Sequence, residues 1–219
     1  MKSFIVEIWS KVFSVLRWIS PFQIIRTLIP VTREGYRFVE GWVLGNLLLS
    51  IVLLLICSAP SLRWWEAIAI GYAGIRVFEV FIYQINVLLF DQYRAKKEEH
   101  RLRRLGITYV PYALRGFRRI VILLLHNYVE IIFWFALFYR NIGWAFETGG
   151  VSLDSFLVSL NFSFVMMTTF GHIAISPRET LGSILIFIQS VIGLFMALLI
   201  LARFISLLPP VETLDEFEK

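Results

Sequence analysis

Four stretches of this chain, residues 39–57, 65–90, 120–139 and 181–208, are too long and too apolar to lie on the surface of a water-soluble domain. A helical crossing of a bilayer takes about 20 predominantly apolar residues, and each stretch supplies roughly that number. Composition agrees: 58% of the 219 residues are hydrophobic and the mean hydropathy is +0.74, whereas a soluble domain is about 45–50% apolar. The expected fold is an all-α, multi-pass membrane protein with four transmembrane helices. The single cysteine, Cys57, lies in the first stretch, so an intrachain disulfide is impossible and the residue reads as a small hydrophobe.

A fifth apolar run breaks the pattern. Residues 156–167 make a helix of only about 18 Å at 1.5 Å per residue, part of a membrane thickness. Thr168-Thr169-Phe170-Gly171-His172 follows, and then the long run 181–208. A short helix, a sharp turn and a full span predict a re-entrant loop. Such backbone is tolerated at membrane depth only where it is buried in protein or lines a watery path. A filter for ions replaces their water shell with oxygens. Gly171 permits the positive φ that aims carbonyls at one axis. The threonines add hydroxyls, and the carbonyl end of the short helix favours cations. One such loop per chain predicts a symmetric oligomer, because a ring of oxygens needs several copies.

The remaining segments set the context. Residues 1–20 place Phe4, Ile5, Ile8, Trp9, Val12, Phe13, Leu16 and Ile19 on one helical face and Ser3, Glu7, Ser10, Lys11, Ser14 and Arg17 on the other. That pattern suits a helix lying in the membrane interface. The second span carries Arg76 and Glu79 one turn apart, spaced to pair inside the membrane. A voltage sensor would need several basic residues at every third position, and this span has one. The third span carries His126, Asn127 and Glu130. His126 and Glu130 share a face, but two ligands without a third make a weak metal site, so hydrogen bonding to neighbouring helices is the expectation. Glu130 is a candidate partner for Arg76 if the two helices pack.

Residues 91–119 are strongly basic, with Arg94, Lys96, Lys97, Arg101, Arg103, Arg104, Arg115, Arg118 and Arg119. Next to membrane spans, such a run is expected to stay cytoplasmic and to meet lipid headgroups rather than nucleic acid. Both termini are then cytoplasmic and the re-entrant loop opens outward. The chain divides into an amphipathic segment (1–38), two peripheral spans (39–90), the basic connection (91–119), a pore unit (120–208) and a short acidic tail (209–219).

Ser163-Phe164-Val165-Met166-Met167-Thr168-Thr169-Phe170-Gly171-His172-Ile173, followed by Ser176-Pro177 and Gly182, resembles the pore region of the potassium-channel superfamily. The likeness covers residues 120–208, through Gly193 and Ala202. It implies a tetramer in the cell membrane that conducts monovalent cations, held transiently at Thr169 and Gly171, through a filter of Thr168, Thr169, Phe170, Gly171, His172 and Ile173. The family's filter usually reads Thr-Val-Gly-Tyr-Gly-Asp. Here Thr169 and Gly171 match, whereas His172 stands at the Tyr position and Ile173 at the second Gly. A β-branched residue resists positive φ, so relaxed potassium selectivity is implied. His172 implies either pH-sensitive conductance or a hydrogen bond behind the filter. Gly193 is either a gating hinge, as its family position implies, or a small residue for close packing. No cofactor is expected beyond the permeant ion. His100, His126 and His172 lie far apart in sequence, without a nucleophile–base arrangement, so an enzyme is not expected. A separate regulatory protein fits this reading as an additional partner. The alternative is a non-conducting scaffold or regulatory subunit derived from the same fold.

Overall fold

The computed structural model describes residues 4–29, 36–56, 64–105, 117–169 and 174–205. Helix α1 (Phe4–Leu16) passes through a 3-10 turn into α2 (Pro21–Leu28). Ser20 caps α2, accepting from the Gln23 amide, and Pro21 opens its first turn, where no amide is needed. Helices α3 (Tyr36–Ile56) and α4 (Trp64–Ile85) follow. A π turn, Asn86–Phe90, leads into α5 (Asp91–Arg104). Then come α6 (Phe117–Asn141), β1 (Phe146–Glu147), α7 (Phe156–Thr168), β2 (Ser176–Pro177) and α8 (Thr180–Ile205).

Four of these helices, α3, α4, α6 and α8, are long and apolar enough to cross a membrane. The expected short helix appears as α7, one residue longer than its apolar run. The expected second span differs in its last turn: the α-helix stops at Ile85 and widens into the π turn. There the Asn86 side-chain amide donates to the Ile82 carbonyl, 2.9 Å away, at the start of a π segment of the kind often found at functional sites. Cys57 and the tail beyond Ile205 lie outside the described residues.

Helix α6 is the hub. Ile131, Trp134, Phe135, Ala136, Leu137 and Tyr139 are all buried, so its C-terminal half is covered nearly all round. Helices α3, α4, α7 and α8 each pack against it. By contrast, α3 exposes Leu44, Leu48, Val52 and Leu55, and α8 exposes Ile184, Phe187, Val191, Leu194, Leu198 and Leu201. Continuous apolar faces of this kind suit hydrocarbon or a second protein surface rather than water.

Helix α1 carries its amphipathicity inside out relative to a soluble protein. Ser10 is buried, whereas Phe4, Ile5, Ile8, Trp9, Val12 and Val15 are exposed. Its polar side is the docked side. Arg94 of α5 donates to the Ser10 carbonyl (3.3 Å), Asn86 to the Phe13 carbonyl (3.1 Å), and Lys97 faces Glu7 at 3.5 Å. Phe13 turns inward to stack on Phe90 at 5.5 Å, and most of the remaining apolar stripe faces outward, the arrangement expected of a helix in contact with acyl chains.

Candidate functional site

Helix α7 is seated between α6 and α8 by a directed chain of buried hydrogen bonds. The Tyr139 hydroxyl donates to Gln189 Oε1 at 2.6 Å. The Gln189 amide donates to the carbonyl and hydroxyl oxygens of Ser163, at 2.9 and 2.8 Å. The Ser163 hydroxyl donates onward to the Ile132 carbonyl at 2.7 Å. Tyr139, Gln189 and Ser163 are each fully buried, so every unmade bond here would be costly. Phe162 reinforces the seat, with its ring 4.6 Å from that of Tyr139 and 5.6 Å from that of Phe146.

The C-terminal end of α7 is tightly constrained. Gly193 of α8 faces the Met167 backbone. A Cβ built there would lie 3.0 Å from the Met167 carbonyl carbon and 3.1 Å from its Cα, and closer still to the carbonyl oxygen. Of the two readings of Gly193, this contact supports close packing. Thr168 donates to the Phe164 carbonyl at 2.8 Å, one turn back. Thr169, the C-cap, adopts the left-handed conformation with φ 57° and ψ 19°. That region is a genuine outlier for a β-branched residue. Its hydroxyl donates to the Thr168 carbonyl at 2.7 Å.

Phe170, Gly171, His172 and Ile173 lie outside the described residues. On their far side Ile175 is buried and β2 pairs antiparallel with β1, Glu147 opposite Ser176. The Arg178 and Glu179 amides donate to the Ala145 carbonyl. The chain is thus anchored on both sides of residues 170–173.

A second polar cluster sits between α4, α6 and the start of α2. Arg76 grips Glu130 with two parallel bonds, Nε to Oε1 at 2.6 Å and Nη2 to Oε2 at 2.9 Å, and reaches Glu79 through Nη1 at 2.5 Å. Glu79 also accepts from the Ser20 hydroxyl and from the Phe22 amide at 2.7 Å. Glu130 accepts from the Trp134 indole at 2.9 Å. Arg76, Glu79 and Glu130 are all buried. Two carboxylates against one guanidinium leave a formal charge of −1, which the hydroxyl, amide and indole donors disperse. The Trp42 ring lies 5.9 Å from the guanidinium. A cavity of about 40 Å³ touches Ser20, Trp42, Arg76, Glu79 and Asn127. That volume is enough for water. Among the described residues, Asn127 Oδ1 and Trp42 Nε1 have no hydrogen-bond partner.

The sequence-derived candidates separate here. Arg76, Glu79 and Glu130 come together, with Asn127 at the edge of the same cavity. His126 does not join them: it is half-exposed, with Nδ1 2.7 Å from the Ile122 carbonyl of its own helix. Among the described residues, no three of His, Cys, Asp and Glu could hold a metal ion. On α5, Arg101 and Arg103 pair with Glu98 and Glu99 at 3.6 and 2.6 Å, and Arg104 is exposed. Arg119 pairs with Glu40 at 2.6 Å, joining the starts of α6 and α3, while Arg118 is exposed. Arg115 lies outside the described residues.

Sequence reasoning passed over Gln189, Tyr139 and Ser20. A lone amide within an otherwise apolar span was the available signal for Gln189, since such a group marks a helix contact. Nothing local marked Ser20 as a partner for a residue 59 positions away. Comparison with protein-family models, with curated proteins and with solved structures yields no match.

Proposed function

We propose that the chain is one subunit of a tetrameric, potassium-channel-like cation channel in the cell membrane, with both termini in the cytoplasm. The observation that carries this reading is the seat of α7: a helix too short to cross a bilayer, locked between two full spans and ending in Thr168 and a strained Thr169. Left-handed backbone at a β-branched residue costs about 1–3 kcal/mol and persists where the surroundings enforce it, commonly at functional sites. Four copies around one axis would each contribute Thr169 and Gly171 oxygens to a transient site for a dehydrated cation. The carbonyl end of α7 adds a favourable dipole. With His172 and Ile173 at the outer positions, discrimination between potassium and sodium is relaxed. No chemical step and no resident cofactor enter this mechanism.

The test is ion flux through purified protein in liposomes, potassium against sodium, with Gly171→Val as the control. Flux that the control abolishes supports a pore through this loop. Silence across a range of pH, lipid and voltage would refute it in favour of a non-conducting scaffold.

A further inference from the structure

Asn127 is buried on α6, and its Oδ1 has no hydrogen-bond partner among the described residues. By contrast, Asn46 accepts from the Tyr72 hydroxyl, Asn86 from Arg94 and Gln189 from the Tyr139 hydroxyl. A buried acceptor left unmade is costly, so the exception points to an occupant. Asn127 lines the cavity of about 40 Å³ that also touches Trp42 of α3. Trp42 Nε1 is likewise buried without a partner among the described residues. One of these two groups is an acceptor and the other a donor.

Glu79 supplies a third contact. It lines the same cavity and accepts from the Ser20 hydroxyl, the Phe22 amide and Arg76. An ionised carboxylate offers about four lone-pair sites, so one further donor can be taken up there. The occupant must then donate twice, to Asn127 Oδ1 and Glu79, and accept once, from Trp42 Nε1. Its charge is constrained as well. Arg76 and Glu79 both line the cavity, so a cation would face the guanidinium and an anion the carboxylate. A hydrocarbon chain would leave both unpartnered groups stranded. Water is neutral, has two donors and two acceptors, needs about 10–15 Å³ and makes about three hydrogen bonds when buried.

We propose that this cavity is a hydration site, in which one ordered water accepts from Trp42 Nε1 and donates to Asn127 Oδ1 and to the Glu79 carboxylate. The water ties α3 and α6 to α4 and, through the bonds of Glu79 to Ser20 and Phe22, to the start of α2. It adds one more donor to a cluster whose formal charge is −1. Asn127 thereby acquires a role that neither the filter nor the Arg76 bonds give it. The proposal does not depend on ion conduction, so silence in the flux assay leaves it standing.

The test is an experimental density map of the full chain in lipid nanodiscs, at a resolution that shows ordered water. The expected result is one peak about 2.7–3.2 Å from Trp42 Nε1, Asn127 Oδ1 and a Glu79 carboxylate oxygen. The Asn127→Leu variant, similar in size, should lack that peak. Unfolding in detergent gives a second readout. Asn127→Leu and Trp42→Phe should each lower the folding constant about tenfold, and the double variant little further, because each single change already breaks the same bridge. An empty cavity in the map would overturn the proposal, as would a direct Trp42–Asn127 hydrogen bond or a lipid atom at the site. So would a peak with contacts of about 2.3–2.6 Å, which mark a hard cation, or single-variant effects that multiply in the double variant.

Discussion

Replacing Gly193 with alanine tests the α7–α8 contact most directly, because two effects of opposite sign compete. Alanine raises intrinsic helix stability over glycine by about 1 kcal/mol. Against this, the new methyl group would sit 3.0 and 3.1 Å from two Met167 carbons, where relaxed carbon contacts are about 3.5–4.0 Å. The helices must part by about 0.5–1 Å. Such overpacking costs about 1–3 kcal/mol. The same shift lengthens the bonds from Gln189 to Ser163, now 2.8 and 2.9 Å, a further loss of about 1 kcal/mol. The net expectation is a destabilisation of about 1–3 kcal/mol together with impaired flux. Gly71→Ala is the internal control: a methyl at this position of α4 meets nothing within 4 Å, so it should be neutral or slightly stabilising. Unfolding in detergent, followed for both variants beside the parent, reads the difference. A Gly193→Ala protein as stable as Gly71→Ala would refute the close approach. Altered flux at unchanged stability would favour the hinge instead.

Gln189→Leu is expected to cost more than Tyr139→Phe in the same assay. It strands the Tyr139 hydroxyl as well as removing the donor to Ser163, and each stranded buried group costs about 1–3 kcal/mol. Arg76→Gln should be severe, about 3–5 kcal/mol, because it leaves both Glu79 and Glu130 without their cation in a buried site. Glu130→Gln should be milder than Arg76→Gln, since Arg76 and Glu79 remain as a neutral pair. The reverse order in a melting experiment would contradict the formal charge of −1.

The spans were legible because apolar runs bounded by charges, glycine and proline are a one-dimensional signal. The same applies to α7, whose start at Phe156 and brevity both follow from its run. The pairing of Arg76 with Glu79 follows from helical spacing alone. Its partnership with Glu130 could be stated only conditionally, because periodicity does not say which helices touch. His126 shows the limit of the spacing argument. It shares a face with Glu130, yet rotates toward a carbonyl of its own helix while Glu130 turns to Arg76. The inward-facing polar side of α1 was likewise hidden, because amphipathicity identifies two faces without saying which one meets protein. The π turn is a local widening of the helix over residues 86–90, which hydropathy does not register.

The seat of α7 also bears on the order in which the molecule can be assembled. Its fastenings come from both directions along the chain: the Ile132 carbonyl precedes it and Gln189 follows it. As the chain is synthesised, α7 is complete before Gln189 exists. At that stage the segment has neither the length to cross the bilayer nor its downstream tether. Seating is therefore a late event, gated by insertion of α8. A chain halted before Gln189 would contain α3, α4 and α6 in full, yet lack the downstream group that holds the half-length helix in place.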